Sequence, residues 1–397
     1  MSSADPNFNN IRDRREPAVQ GPKLVLPGEN PAEGIQAGAV SSPPRLEMIT
    51  TATGEWHSQR AESAPPPPLT FSLAASPSVP HTAGGGWVSP VLQMPANVPH
   101  MWIPTQRESR FRASRRRLEQ IIDRLIDGTE AERPPRTVVV VAHPDDEAIG
   151  VGARLKSLPN ALIVHVTDGA PRDPVYAQKK GFATREEYAR ARQEELAAAL
   201  SLVGVGPERT RCLNVVDGEA TDRLVELAYA MADLLDEFRP EVVLTHPYEG
   251  GHTDHDATAF AVHLACGMLR REGVPAPLVL EFTSYNFKDG ERTVGEFIPF
   301  FGVDAKQADL PPELQMLKRE MYDCFVSQKD CLSAFPVERE KFRPAPRYTF
   351  TKPPHRGPLL YERFSNLVSG EQWRDQARRA LERLRAKRRT TKTLAAT

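Results

Sequence analysis

The sequence predicts an α/β fold: a doubly wound, mainly parallel sheet with helices on both faces. Two observations carry the prediction. Short apolar runs recur at 137–142, 161–166, 211–215, 241–245 and 278–284. Most are rich in β-branched residues and lack polar alternation, as in strands buried on both faces. Longer segments of helical periodicity separate them, at 145–157, 184–203, 219–238 and 255–272. Strand and helix therefore alternate, which calls for parallel neighbours joined by crossovers.

Taken in order, residues 1–108 stand apart. They hold 17 of the 37 prolines, including Pro65–Pro68, and the run Gly84-Gly85-Gly86. Such a segment cannot bury enough apolar surface to offset its ordering entropy, so it reads as a disordered arm. Met94 and Met101 are alternative starting points for the chain. A helix is expected over 114–127, with Leu118, Ile121, Ile122 and Leu125 on one face. Thr184 and Glu187 have capping-box spacing at the head of the helix expected over 184–203. After about residue 285 the pattern loosens, and helices near 312–329 and 371–389 are the clearest later elements. The expected organisation is an arm over 1–108, a globular α/β domain over 109–370, and a basic C-terminal helix and tail over 371–397.

Composition narrows the function. With 51 basic and 52 acidic residues the formal net charge is −1, which supplies no global drive toward nucleic acid or anionic membrane. Arg115-Arg116-Arg117 and the run 385–389 are basic but lack interleaved aromatics, so they read as solvated helix faces. Four cysteines without C-x-x-C spacing fit a reduced, cytoplasmic protein. The first residues carry no apolar signal core, and no run reaches the roughly 18 residues of a membrane span. Gly150-Val151-Gly152 does not complete a dinucleotide-binding G-x-G-x-x-G.

Two clusters carry the chemistry. Ala142-His143-Pro144-Asp145-Asp146-Glu147 follows the first strand, and His252-Thr253-Asp254-His255 follows the fourth. Each has an ordinary reading. Proline and acids open many helices by complementing exposed N–H groups, and Asp254 can cap the next helix. In a sheet ordered 3-2-1-4-5, however, the first and fourth strands are neighbours, and the crevice at their C-terminal ends is where ligands bind. Two clusters about 100 residues apart then meet. Together they offer nitrogen and oxygen ligands for one ion, with acid–base groups left over, as in a metal-assisted hydrolase. His165 reads as a packed strand residue, His263 as structural, and His246 as either a site-lining or an orienting residue.

The segments VVVVAHPDDEAIG and HPYEGGHTDHDA resemble the PIG-L/LmbE-like family of zinc-dependent N-acetylglucosaminyl deacetylases, which are Rossmann-like proteins. The resemblance runs from about 136 to about 365 and includes VTDGAPRD at 166–173, RQEELAAAL at 192–200 and SQKDCLSAF at 327–335. It implies Zn2+ held by His143, Asp146 and His255. It implies Asp145 as general base, His252 as the group that polarises the carbonyl or protonates the leaving amine, and Asp254 as the residue that orients and charges His252. Arg192, Tyr248 and Asp217 become substrate-binding residues, with Glu195 a further candidate. Where some relatives place a tyrosine two residues before H-x-D-H, this chain has Gly250. The implied substrate is a small amino sugar or glycoconjugate. Rival readings are a metal amidase for a thiol-sugar or other acyl-amide conjugate, a non-catalytic sugar-binding module, and a nucleic-acid scaffold.

Overall fold

Strand β1 (Thr137–Val141) is buried along its whole length and marks the centre of the sheet. Its side chains alternate between two cores, Val139 and Val141 facing one and Val138 and Val140 the other. This computed structural model describes residues 106–128, 133–364 and 368–394. Most of the proline-rich arm lies outside the described residues.

The elements follow the expected alternation. After α1 (Gln106–Asp127) and β1 come α2 (Asp146–Val151), β2 (Leu162–Pro171), α3 (Pro174–Lys179), α4 (Arg185–Ser201) and β3 (Thr210–Asp217). Next are α5 (Leu224–Phe238), β4 (Val242–Thr245), α6 (Thr253–Arg271) and β5 (Leu278–Phe282). A hairpin of β6 (Tyr285–Lys288) and β7 (Glu291–Val294) precedes β8 (Lys306–Asp309), α7 (Pro312–Cys324), α8 (Lys329–Leu332), β9 (Arg339–Pro344) and α9 (Gly370–Leu394). The main sheet has the order β3-β2-β1-β4-β5-β9-β8. Its first five strands are parallel, and β9 and β8 add an antiparallel edge. The expected 3-2-1-4-5 order is present. β1 and β4 pair directly, Val140 against Thr245, so both loops beyond them open at the switch point.

One core gathers residues from α1, α2, α4 and α7, the other from α5, α6 and α9. Trp373, Ala377, Ala380 and Leu384 form the buried stripe of α9. Trp373 also donates its indole N–H to the Thr253 carbonyl at 3.1 Å, which ties α9 to the start of α6. Thr184 and Glu187 make the expected capping box on α4. Arg115–Arg117 are exposed, as expected of a solvated face. Among the described residues, no helix is long and apolar enough to cross a membrane.

The helix expected over 145–157 is shorter. It ends at Val151 and continues as a 3₁₀ turn over Gly152–Ser157. The cause is a distant acceptor: the Ala153 N–H donates to Glu340 Oε1 at 2.9 Å and so leaves the helical ladder. Gly150 allows α2 to lie against the sheet, since a Cβ there would sit 2.1 Å from the Phe282 ring. The helix expected over 219–238 likewise begins as a 3₁₀ turn, Ala220–Arg223, before α5.

His263 on α6 packs against Tyr348 and Phe350, with ring centroids 5.2 and 5.6 Å away. Burial, helped by the charge of Arg270, pushes its pKa down to about 4. A group depressed in this way takes up a proton in the unfolded chain first, so its contribution is lost as pH falls from about 6.5 to about 4. The unfolding free energy of the wild type should therefore drop between pH 7 and pH 5 by about 2 kcal/mol more than that of His263→Phe. Urea titrations of both proteins at the two pH values check this, and parallel losses would contradict it.

Candidate metal centre

β1 delivers His143 just beyond its C-terminal end, and Pro144 turns the chain into α2. The turn is tight because the His143 backbone N–H donates to Asp146 Oδ2 at 2.8 Å. From β4 the chain runs through His246 and Pro247 to His252, the N-cap of α6, whose Nδ1 accepts the Asp254 N–H at 3.2 Å. Asp254 and His255 follow in the first turn of that helix.

His143, Asp146 and His255 are buried and converge. His143 Nδ1 lies 3.2 Å from Asp146 Oδ2 and 3.3 Å from His255 Nε2, and His255 Nε2 lies 3.3 Å from Asp146 Oδ1. Tetrahedral bonds of about 2.0–2.1 Å put ligand atoms roughly 3.3–3.4 Å apart. These separations suit one ion of zinc size, with Asp146 facing His143 through Oδ2 and His255 through Oδ1. Burial works against ionisation of Asp146, but His255, His246 and a hydrogen bond from His143 hold its carboxyl well below the usual range. Burial pushes the His255 pKa down to about 4, leaving a neutral imidazole able to ligate.

The other face of the His143 ring is also occupied. Its Nε2 lies 3.2 Å from Asp217 Oδ1 and 3.3 Å from Asp254 Oδ2. A histidine that ligates through one nitrogen usually donates the other N–H to a carboxylate, which fixes tautomer and ring orientation. Asp217, expected to contact substrate, thus reaches His143 from the end of β3 and braces it. A second group able to hold an ion, His143, Asp217 and His252, shares the same ring. One neutral imidazole has a single lone pair to offer, so the two groups exclude each other.

Asp145 directly precedes the ligand Asp146 in the turn after β1. It is 6% exposed and adopts φ 136°, a conformation that L residues seldom take. Arg192, 3% exposed, donates to Asp145 Oδ2 at 3.2 Å and also bonds the Pro144 carbonyl. It is therefore not a solvated helix arginine. Gly169, at φ 70°, leaves room for this contact, because a Cβ there would lie 2.8 Å from Pro144 and 3.0 Å from the Arg192 guanidinium carbon. Burial pushes the Asp145 pKa up to about 8, against the pull of Arg192.

His252 is near the triad, its ring 4.7 Å from His143 and 5.5 Å from His255 between centroids. Burial, reinforced by His143, pushes its pKa down to about 4. Asp254 meets His252 through its backbone N–H and not its carboxylate, which accepts from Gly218 and Ala220 N–H groups at 2.7 and 3.1 Å. The Asp254 carboxylate therefore does not orient His252 by a hydrogen bond, although its charge still works to raise the His252 pKa against burial. Tyr248 is a second correction. It is buried among Tyr348, Phe350 and Trp373, and its hydroxyl donates to the Lys352 carbonyl at 2.9 Å, so it does not face the centre. Glu195 is committed to Ser327, accepting from its N–H and hydroxyl at 2.7 Å each.

From sequence, no ligand or acid–base role falls to His246, to the Glu147–His165 pair or to Tyr285. His246 stacks on His255 at 3.9 Å and accepts the Ala142 N–H at 3.1 Å, which resolves it as an orienting residue. Glu147 and His165 form a buried pair at 2.9 Å behind the turn, where Glu147 also accepts the Asp145 N–H. Tyr285, from the hairpin, sets its ring 5.1 Å from that of His255. Only an H-P-x-x-E spacing and an isolated strand histidine hinted at the second of these.

Residues 138–266, a span that contains every one of these candidate residues except Tyr285, match the family model "PIG-L: GlcNAc-PI de-N-acetylase". The chain is 31% identical over 150 residues to a 1D-myo-inositol 2-acetamido-2-deoxy-alpha-D-glucopyranoside deacetylase of Mycobacterium sp. (strain KMS), covering 32% of this chain and 49% of that protein. It is 29% identical over 163 residues to a probable N-acetyl-alpha-D-glucosaminyl L-malate deacetylase 2 of Bacillus subtilis (strain 168), covering 40% and 71%. The chain thus spans about half the length of the mycobacterial relative. Among solved structures, a deacetylase of the teicoplanin biosynthesis pathway aligns at 21% identity and a TM-score of 0.42, over 53% of this chain and 97% of that one.

Proposed function

We propose that this chain, which belongs to the PIG-L family through residues 138–266, is a zinc-dependent hydrolase that removes the N-acetyl group from an amino sugar or its glycoconjugate. The observation that carries the reading is a buried, backbone-strained carboxylate, Asp145, in the same turn as two of three buried, converging ligand residues. Strain of about 1–3 kcal/mol persists where the surroundings impose it, and it clusters at active sites. A binding module has no use for such a group.

The donor set of two imidazoles and one carboxylate suits zinc. When bound, zinc would lower the pKa of water toward about 7 and polarise the amide carbonyl. The chain supplies the rest. Asp145 is the proton acceptor: burial favours its neutral form, and Arg192, which holds its carboxylate in place, together with the charge of a bound ion would favour the ionised form. His252 uses Nδ1 to accept the Asp254 N–H, so the proton of the neutral ring sits on Nε2. That N–H is a donor for the carbonyl oxygen as it gains charge. Asp217 and Asp254 keep the His143 proton on Nε2 and its Nδ1 lone pair free.

The test is acetate release from simple N-acetylglucosaminides. Activity is expected with the zinc-loaded chain, is expected to vanish on chelation, and should return on adding zinc. Absence of acetate from every N-acetyl amino sugar offered to the loaded chain would overturn the deacetylase reading.

A further inference from the structure

The hairpin β6–β7 carries chemistry that the proposed reaction does not use. Tyr285 and Phe287 share one face of β6, because strand side chains alternate. Phe287 pairs with Arg292 and Tyr285 with Val294, so Arg292 lies on that face too. One end of the face is at the candidate metal centre, where the Tyr285 ring approaches His255. Moving outward, the Arg292 guanidinium lies 5.3 Å from the Tyr285 ring, and the Arg363 guanidinium lies 4.7 Å from the Phe287 ring.

Both arginines are exposed. Other arginines are already committed to carboxylates: Arg172 to Glu219, Arg185 to Asp168 and Arg192 to Asp145. Arg292 and Arg363 have no such ion pair among the described residues, and aromatic rings hold them in place. A guanidinium stacked on a ring keeps its N–H edge available for a planar or tetrahedral anion.

Resting on the deacetylase reading, we propose that this hairpin face is the subsite for the part of the substrate beyond the N-acetylated sugar. It takes an anionic group, a carboxylate or a phosphate, held by Arg292 with Arg363 further out. Tyr285 supplies an apolar wall between that group and the reacting amide. A neutral polyol in the same place would leave both guanidinium groups paired only with water.

The zinc-loaded full chain and its Arg292→Gln and Arg363→Gln variants are assayed for acetate release from three substrates. These are methyl N-acetyl-α-glucosaminide, N-acetyl-α-glucosamine 1-phosphate, and an N-acetyl-α-glucosaminide of a hydroxy dicarboxylic acid. For the wild type, kcat/KM on at least one anionic substrate should exceed that on the methyl glycoside by about 10-fold or more, mainly through KM, with the gap narrowing as salt rises. Arg292→Gln should bring the ratio close to one, and Arg363→Gln should lower it less. The phosphate and carboxylate arms tell which anion is taken. Equal kcat/KM on all three substrates, or a ratio unchanged in Arg292→Gln, overturns the subsite and leaves deacetylation standing. If no substrate releases acetate, the deacetylase reading fails, and calorimetry of the same glycosides with the same proteins decides the subsite. Anion-dependent binding lost in Arg292→Gln supports it, and indifferent or absent binding overturns it.

Discussion

Asp145→Asn is expected to keep its bound metal and to lose about 10²–10⁴-fold in turnover, the usual worth of a positioned acid–base group. The substitution is nearly isosteric, and asparagine tolerates positive φ better than most residues, so the turn from β1 into α2 should persist. What disappears is the carboxylate that Arg192 holds beside the triad. Acetate release measured with metal analysis of the same preparation separates the two effects. Comparable turnover would remove Asp145 from the mechanism, and lost metal would make it a support for the ligands.

Lys318→Met should cost about 3–5 kcal/mol of stability, because it strands a buried carboxylate. Lys318 and Glu340 are both fully buried, with 3.0 Å between Nζ and Oε1. Lys318 also donates to the Ile149 carbonyl at 2.8 Å, and Glu340 accepts the Ala153 N–H, so the pair clamps α2 and its 3₁₀ turn from behind. Replacing both partners, Lys318→Met with Glu340→Leu, should recover most of the loss, since an apolar pair of similar volume is often neutral. Urea unfolding of the three proteins measures this, and a single variant as stable as the wild type would show that the clamp contributes nothing.

What could be read from the sequence follows the range of each signal. The order of the five parallel strands and the meeting of the two clusters rest on local patterns: apolar runs, helical periodicity and short motifs at strand ends. Those patterns lie within a few residues of the chemistry they position. The antiparallel end of the sheet carries no apolar run: the edge strand Lys306–Asp309 is polar, and Arg339–Pro344, which pairs with β5 and β8, is mostly charged. The early end of α2 depends on Glu340, 187 residues from Ala153. Tyr248 was assigned to the site by its nearness to His252 in sequence. Its direction is set by Tyr348, Phe350 and Trp373, which no local pattern reveals. Asp217 and Arg192 illustrate a similar limit. Both lie at the centre, but their partners, His143 and Asp145, are known only once β2, β3 and α4 are placed around β1.

The most direct test of the central claim, that the loops after β1 and β4 build one metal centre, is the metal content of protein purified without a metal-affinity tag, beside His255→Ala. About one zinc per chain in the wild type, largely lost in the variant, is the predicted result, since the site closes around three protein ligands. A wild type that takes up no zinc on addition, or a variant that retains the full amount, would contradict it.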